Sequence, residues 1–203
     1  MVLFPFYEDV EHKTFLLVGG GKVATDKLEK LLRFTDKIRI VAKETEISGL
    51  PVERRAFRDS DLEGIDVCVV ATSDRELNRH IAFLCREKGI PVNVVDDRAL
   101  CSFIFPSFIK KGDLTVSITT AGKSPAYARR LRQELEQIIP GQIEEILDRM
   151  DSYRSLIPVR VKQQKNRSLL YKKILNRLLE TENQVTEEEI EEMIAAAEAG
   201  ERS

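Results

Sequence analysis

The stretch KTFLLVGGGKVATDKLEKLL, residues 13–32, decides how the N-terminal half of the chain folds. It opens with an apolar run, Phe15–Val18, that is short enough for a buried strand, and three glycines follow. Apolar residues then recur at the spacing of one helix face, among them Val23, Leu28 and Leu31. A strand, a glycine turn and a helix in this order are typical of the first half of a dinucleotide-binding βαβ unit.

The spacing of the small residues is Gly19-x-Gly21-x-x-Ala24, the G-x-G-x-x-G/A form. Gly19 would allow the tight turn out of the strand, Gly21 would let a pyrophosphate approach the backbone, and Ala24 would let the helix pack closely. The N–H groups and the positive dipole end of the helix would hold the phosphates. A plain turn between strand and helix is the alternative. The candidate cofactor-binding residues here are Gly19, Gly21, Lys22, Val23 and Ala24.

The choice of cofactor depends on the end of the second predicted strand, Ile38–Ala42, which a parallel crossover would place beside the first. An acidic residue at this point commonly binds the ribose hydroxyls of NAD. Glu44 is available for that role, whereas Lys43 could approach a phosphate and admit NADP. The sequence favours NAD and leaves NADP open.

The next part of the chain predicts a short helical turn at Ile47–Leu50 and an alternating edge strand at Val52–Phe57. The continuous apolar run Val67–Ala71 predicts a strand that is buried on both faces. Ligands of such sheets lie outside the carboxyl ends of the strands. We therefore expect Ala71 and Thr72 to contact the nucleotide.

Two acids, Asp96 and Asp97, follow the predicted strand Pro91–Val95 at its carboxyl end. Chemistry would occur at this edge of the sheet, so the pair is a candidate catalytic group. Helix capping or solvation of a loop is the competing interpretation.

The predicted secondary structure changes twice in the remaining chain. A turn is predicted at Gly112 and Asp113, an alternating strand follows at Leu114–Thr120, and a helix follows from Ala126 to about Ile139. From Gln142 onward only charged, leucine-rich helical patterns occur. The predicted division is a nucleotide-binding domain (1–110), a central region (111–141) and a helical domain (142–203).

Composition limits the class of protein. The chain has 203 residues, 42% of them hydrophobic, and a net charge of -2, so bulk charge does not indicate a nucleic-acid partner. No signal peptide or membrane-spanning run is predicted. The three cysteines form no metal spacing and no disulfide framework, which favours a reduced, cytoplasmic protein without a bound metal.

Several motifs occur together, in order: VGGGKVATDKLEKLL, CVVATSDRELN, VNVVDD and CSFIFPSFIKKGDLTVSITTAGKSPAYARRLRQELE. This series resembles the precorrin-2 dehydrogenase family of siroheme synthesis, including the N-terminal part of multifunctional siroheme synthases. The resemblance covers roughly residues 3 to 140. It implies a Rossmann-type parallel sheet (class α/β), a small α+β dimerisation region and a C-terminal helical domain.

The resemblance also implies an activity: NAD-dependent oxidation of precorrin-2 to sirohydrochlorin by a homodimer, with no membrane partner. The family's essential acid falls on Asp96, and its nucleotide contacts fall on the glycine turn, Lys43, Glu44, Ala71 and Thr72. Some members also insert ferrous iron, an activity left open here. Candidate substrate-binding residues are Asn93, Thr120, Lys123, Ser124 and Arg129.

The chain departs from the family at Arg98, where a proline is common, and at 119–122, where a serine-glycine loop is common. These positions bear more on the substrate than on NAD. An NAD(H)-binding regulatory or sensor protein without catalysis is the alternative function. It would use the same glycine turn and need no acid at Asp96.

Overall fold

The computed structural model describes residues 3–200. It consists of two compact units, one reaching to Phe105 and the other starting at Pro106. The predicted domains 1–110 and 142–203 extend beyond the described residues at the two ends of the chain. The boundaries predicted after residues 110 and 141 stay predictions.

The first unit contains one parallel sheet of five strands in the order β3-β2-β1-β4-β5. Its described residues form two α-helices, α1 (Lys22–Leu31) and α2 (Arg75–Glu87), and a short 3-10 helix at Asp59–Leu62. This arrangement confirms the Rossmann-type α/β class predicted from the sequence. The strands are β1 (Phe15–Val18), β2 (Ile38–Ala42), β3 (Glu53–Arg54), β4 (Val67–Val70) and β5 (Val92–Val94).

Successive side chains of each strand point to opposite faces of the sheet, and a hydrophobic cluster covers each face. Leu16 and Val18 of β1 belong to a cluster that includes Ile81 of α2. Phe15 and Leu17 belong to another cluster, which includes Leu28 of α1. The continuous apolar runs of β1 and β4 are therefore explained by helices on both sides.

The strand order places the change of direction between β1 and β4. The chain runs outward from β1 through β2 to β3, then returns to the other side of β1 at β4. The crevice at such a switch point, outside the carboxyl ends of the strands, is where ligands of this architecture bind. The glycine turn after β1 and residues 71–72 after β4 both lie at that edge.

The second unit begins with an antiparallel hairpin of β6 (Ser107–Lys111) and β7 (Leu114–Ile118). Ser124 caps α3 by accepting a hydrogen bond from the Tyr127 N–H. The last three helices pack around a separate core that includes Ile157 and Ile174. The helices of this unit are α3 (Pro125–Ile138), α4 (Ile143–Arg160), α5 (Gln164–Glu180) and α6 (Glu187–Ala199).

The helical turn predicted at Ile47–Leu50 is wrong, because this segment is irregular. Gly49 has a φ of +78°, outside the right-handed helical region. Leu50 precedes Pro51, and the proline ring disfavours a helical backbone at the residue before it. Ile47 is buried, and its N–H bonds the Thr45 hydroxyl at 2.9 Å. The apolar residues here thus pack against the sheet without forming a helix.

The edge strand predicted at Val52–Phe57 is shorter than expected, since only Glu53 and Arg54 pair with β2. The Arg55 N–H turns back to the Glu53 carbonyl at 2.9 Å, which ends the ladder. The Arg55 guanidinium then bonds Asp61 at 2.6 and 2.8 Å.

Candidate functional site

Gly19 makes the sharp turn at the carboxyl end of β1. Its φ is +123°, and a Cβ at this position would lie 2.2 Å from the Ala71 carbonyl oxygen. Its N–H bonds the Val41 carbonyl of β2 at 2.9 Å, and the Ala71 N–H bonds Val18 at 2.7 Å. Only glycine fits here, both for backbone conformation and for space.

Gly20 is also required to be glycine, although the G-x-G-x-x-G/A spacing does not include it. A Cβ on Gly20 would lie 2.2 Å from the Glu44 carbonyl oxygen, although the backbone φ is ordinary. Its carbonyl accepts a hydrogen bond from the Glu46 N–H at 2.8 Å. The second glycine therefore lets the turn pack against the segment after β2, which no spacing rule within the turn predicts.

Gly21 differs from both, because a Cβ there would have no atom within 4 Å. It is the N-cap of α1 and has no side chain to bond the first-turn N–H groups. Those N–H groups lack partners within the helix. Lys22 and Val23 are exposed beside them, whereas Ala24 is fully buried and packs in the core. The open space and unsatisfied donors fit a pyrophosphate group.

The two residues that bear on the choice between NAD and NADP, Lys43 and Glu44, follow β2 directly. Both side chains are exposed. The Glu44 backbone contacts the glycine turn at Gly20, so both side chains begin beside the predicted nucleotide. A carboxylate and an ammonium group are thus both available there.

Ala71 and Thr72 form the turn after β4, and Asn78 of α2 holds this turn in place. The Asn78 amide donates to the Thr72 carbonyl at 3.0 Å, and its oxygen accepts from the Thr72 hydroxyl at 2.5 Å. Asn78 is only 6% exposed. The role of Asn78 depends on a contact between α2 and the turn before it, which no local motif indicates.

Asp96 lies in a turn just beyond β5. Its φ is +61°, in the left-handed region that Asp and Asn adopt more readily than other non-glycine residues. Its side chain is exposed, and within the described residues its carboxylate accepts no hydrogen bond. The adjacent Asp97 differs, since its carboxylate accepts a bond from the Ala99 N–H at 3.1 Å. Of the two acids, Asp96 has the more available carboxylate.

Asn93, a candidate for substrate binding, is buried in β5 with 6% exposure. Its amide donates to the Phe103 carbonyl at 2.9 Å and lies 3.6 Å from the Cys101 sulfur. These contacts tie β5 to the segment that follows Asp96. The Asn93 side chain therefore supports the segment after Asp96 from within the fold.

The other four candidates for substrate binding lie in the second unit, in and after the loop that follows β7. The Thr120 hydroxyl accepts from the Ser124 N–H at 3.0 Å, and Ser124 in turn caps α3. Lys123 and Arg129 are exposed, and neither is in an ion pair within residues 3–200. Two polar residues therefore shape the loop, while two cations face outward.

Residues 3–200 contain no group of three or more His, Cys, Asp or Glu side chains arranged to hold a metal ion. Within the same range, every helix is too short or too polar to cross a membrane.

Comparison with known families gives two matches along the chain. Residues 6–107, about half of the chain, match the family described as "Putative NAD(P)-binding". Residues 111–138 match the family described as "Sirohaem biosynthesis protein central". The first match covers the sheet, the glycine turn and Asp96, and the second covers most of the hairpin and α3.

Related proteins of known name are siroheme synthases, in agreement with both family matches. The chain is 33% identical over 183 residues to a siroheme synthase of Thioalkalivibrio sulfidiphilus, covering 86% of this chain and 37% of that protein. A siroheme synthase of Neisseria meningitidis serogroup C is 32% identical over 184 residues, covering 87% and 38%. One of Nitrosomonas europaea is 33% identical, covering 86% and 39%. The chain thus spans less than two fifths of these relatives.

A solved structure named "SirC, precorrin-2 dehydrogenase" shares the fold. It aligns with a TM-score of 0.71 at 22% identity, covering 97% of this chain and 100% of that one. The likeness extends to both units. Together, these matches confirm the resemblance found in the motifs, and the chain belongs to the family described as "Putative NAD(P)-binding".

Proposed function

We propose that the chain catalyses the NAD-dependent dehydrogenation of precorrin-2 to sirohydrochlorin, in siroheme biosynthesis. The main support is that an available carboxylate, Asp96, lies at the same edge of the sheet as the glycine turn. The similarity to siroheme synthases over 86% of the chain supports the substrate class.

The end of the glycine turn at Gly21 and the start of α1 would hold the pyrophosphate, because the first N–H groups of the helix lack partners within it and the space beside Gly21 is open. Glu44 would bind the ribose hydroxyls and favour NAD. Ala71 and Thr72 would border the nicotinamide half, since they lie at the switch point. When bound, NAD accepts the hydride.

Asp96 would take part in the other half of the reaction. Dehydrogenation removes a hydride and a proton from the reduced macrocycle and leaves one additional double bond. The Asp96 carboxylate would accept that proton, or stabilise the positive charge that develops on the ring. Its exposure leaves the carboxylate accessible to a bulky substrate.

The test compares wild type with Asp96→Asn and Asp97→Asn, using precorrin-2 and NAD and following the absorbance of NADH. Asparagine tolerates the left-handed backbone of Asp96, so this variant should fold normally. We expect Asp96→Asn to lower kcat about a hundredfold or more while the Kd for NADH stays within about twofold. Near-normal kcat in this variant, or an equal loss in Asp97→Asn, would contradict the role of Asp96. A wild type that binds NADH but forms none would favour the sensor function.

Lys123 and Arg129 are the cations that we propose bind carboxylates of precorrin-2. Other basic side chains nearby are already engaged: Arg130 bonds Glu134 at 2.8 Å, and Arg132 bonds Glu136 at 2.6 Å. Arg129→Met should therefore raise KM for precorrin-2 several-fold, whereas Arg130→Met should not. Equal values of KM in the two variants would argue against this assignment.

We also propose a homodimer that forms through the central region. A two-stranded sheet alone is marginal, and α3 leaves Tyr127 59% and Ile138 73% exposed. Light scattering should give twice the mass of one chain. Ile138→Glu should weaken the dimer, whereas Val159→Glu, at an apolar residue of α4 that is 66% exposed, should not. A monomeric wild type would exclude the proposal.

We further propose a cytoplasmic location, which the three unpaired cysteines support.

A further inference from the structure

The segment from Asp96 to Phe105, here called the return segment, folds back along the edge strand β5. The Ser102 N–H donates to the Val92 carbonyl at 2.8 Å, and the Val92 N–H donates to the Ser102 hydroxyl at 2.8 Å. The Cys101 sulfur lies 3.2 Å from both the N and the O of Val94. Backbone and side-chain groups of the return segment thus bond the backbone of β5, and the segment that carries Asp96 covers the edge of the sheet.

The far end of the return segment packs on the α1 side of the sheet. Phe103 and Phe105 contact the cluster that includes Ala24 and Leu28, and their ring centroids are 5.6 Å apart. The Lys27 ammonium lies over the Phe105 ring, 4.2 Å from its centroid. A cation at this distance is attracted by the ring quadrupole.

Lys27 is in α1, one turn after Val23, so both residues lie on one side of the helix that starts at the glycine turn. Burial lowers the pKa of Lys27, and the neighbouring Lys30 lowers it further, while the charges of Cys101 and Asp96 act in the opposite direction. The charged groups that act on the partly buried Lys27 side chain belong to the return segment, apart from Asp26 and Lys30 on its own helix.

We propose that Lys27 is a positioning residue that holds the return segment against α1 and thereby fixes the Asp96 carboxylate relative to the nucleotide-binding turn. The inference rests on the proposed function, since it assigns a role in catalysis through Asp96. One helix would then carry both the phosphate-binding N–H groups and the contact that places the acid. Small errors in such placement reduce turnover strongly while leaving binding little changed.

The experiment uses the full chain and three variants. Lys27→Met removes the charge and keeps most of the side-chain length, and Lys27→Arg retains a cation that stacks on an aromatic ring. Lys30→Met is the control, because it removes an exposed ammonium from the same helix. Hydrogen exchange of the amides in residues 96–105, the Kd for NADH, and kcat and KM with precorrin-2 are measured for each.

In Lys27→Met, the return segment should exchange about three- to tenfold faster, and kcat should fall about tenfold. The Kd for NADH and KM should change by less than about twofold. Lys27→Arg should recover most of both losses, and Lys30→Met should match wild type. This pattern separates a role of Lys27 in positioning Asp96 from a general loss of protein stability. A general loss of stability would not be selectively reversed by arginine at position 27.

Unchanged exchange in Lys27→Met, or no recovery in Lys27→Arg, would overturn the inference even when wild type is active. A wild type that forms no NADH would instead remove the proposed function, and with it the catalytic meaning of the contact. The exchange data do not depend on turnover, so the two failures are distinguishable.

Discussion

The carbonyl oxygen of Ala71 occupies the space that a side chain on Gly19 would need, since a Cβ there would lie 2.2 Å from it. The left-handed φ of +123° adds backbone strain for any other residue. We expect Gly19→Ala to lower the free energy of unfolding by about 3 kcal/mol or more, measured by urea denaturation. Gly141→Ala is the control, because a Cβ there meets no atom within 4 Å. Equal stability of the two variants would contradict this account of the turn.

Gly21→Ala should behave differently, because the space beside it is open and its φ of -83° suits alanine. The variant should keep the stability of wild type within about 0.5 kcal/mol. Its methyl group would point into the space assigned to the pyrophosphate, so the Kd for NADH should rise at least about tenfold. Calorimetric titration measures this directly. Wild-type affinity in Gly21→Ala would place the phosphates elsewhere.

Asn78→Ala should remove the support of the turn at Thr72. The Thr72 carbonyl and hydroxyl would lose partners that now lie at 3.0 and 2.5 Å. We expect a loss of about 1–3 kcal/mol in stability, together with weaker NADH binding. Arg79→Ala, on the exposed side of the same helix, should change neither. Thermal unfolding and titration check both effects, and an unchanged Asn78→Ala variant would refute the role.

Asp61 makes stability depend on pH. Its side chain is 4% exposed, and hydrogen bonds from the Arg55 guanidinium hold the pKa of Asp61 below its usual range. A carboxyl group whose pKa is lower in the folded state than in the unfolded state stabilises the folded state. This contribution is complete at pH values above the unfolded pKa of about 4. That contribution is lost as the pH falls through the folded pKa.

The matching variant is Asp61→Asn, measured by urea denaturation at pH 7 and at pH 3. It should be less stable than wild type by about 1–3 kcal/mol at pH 7, and the difference should shrink at pH 3. Glu134→Gln, in an exposed pair with Arg130, should have almost no effect. A difference for Asp61→Asn that is the same at both pH values would contradict the ion-pair explanation.

Local patterns were sufficient to predict the glycine turn, strand β7 and the strands of the parallel sheet, apart from the length of β3. Strand β2 has the predicted bounds, Ile38–Ala42, because the signals for a strand lie within a few residues. The contacts of Gly20 and Lys27 were not predictable in this way. Gly20 is constrained by Glu44 and Lys27 contacts Phe105, residues that are distant in the sequence. The error at Ile47–Leu50 has the same origin, since burial against the sheet explains that apolar pattern.

The most direct test of the central claim is the stoichiometry of one complete reaction. Wild-type protein is mixed anaerobically with a limiting amount of precorrin-2 and an excess of NAD, and both NADH and sirohydrochlorin are measured by absorbance. Because one hydride leaves each macrocycle, the account predicts one NADH for each sirohydrochlorin formed. Sirohydrochlorin without NADH, or neither product from a protein that binds NADH, would contradict it.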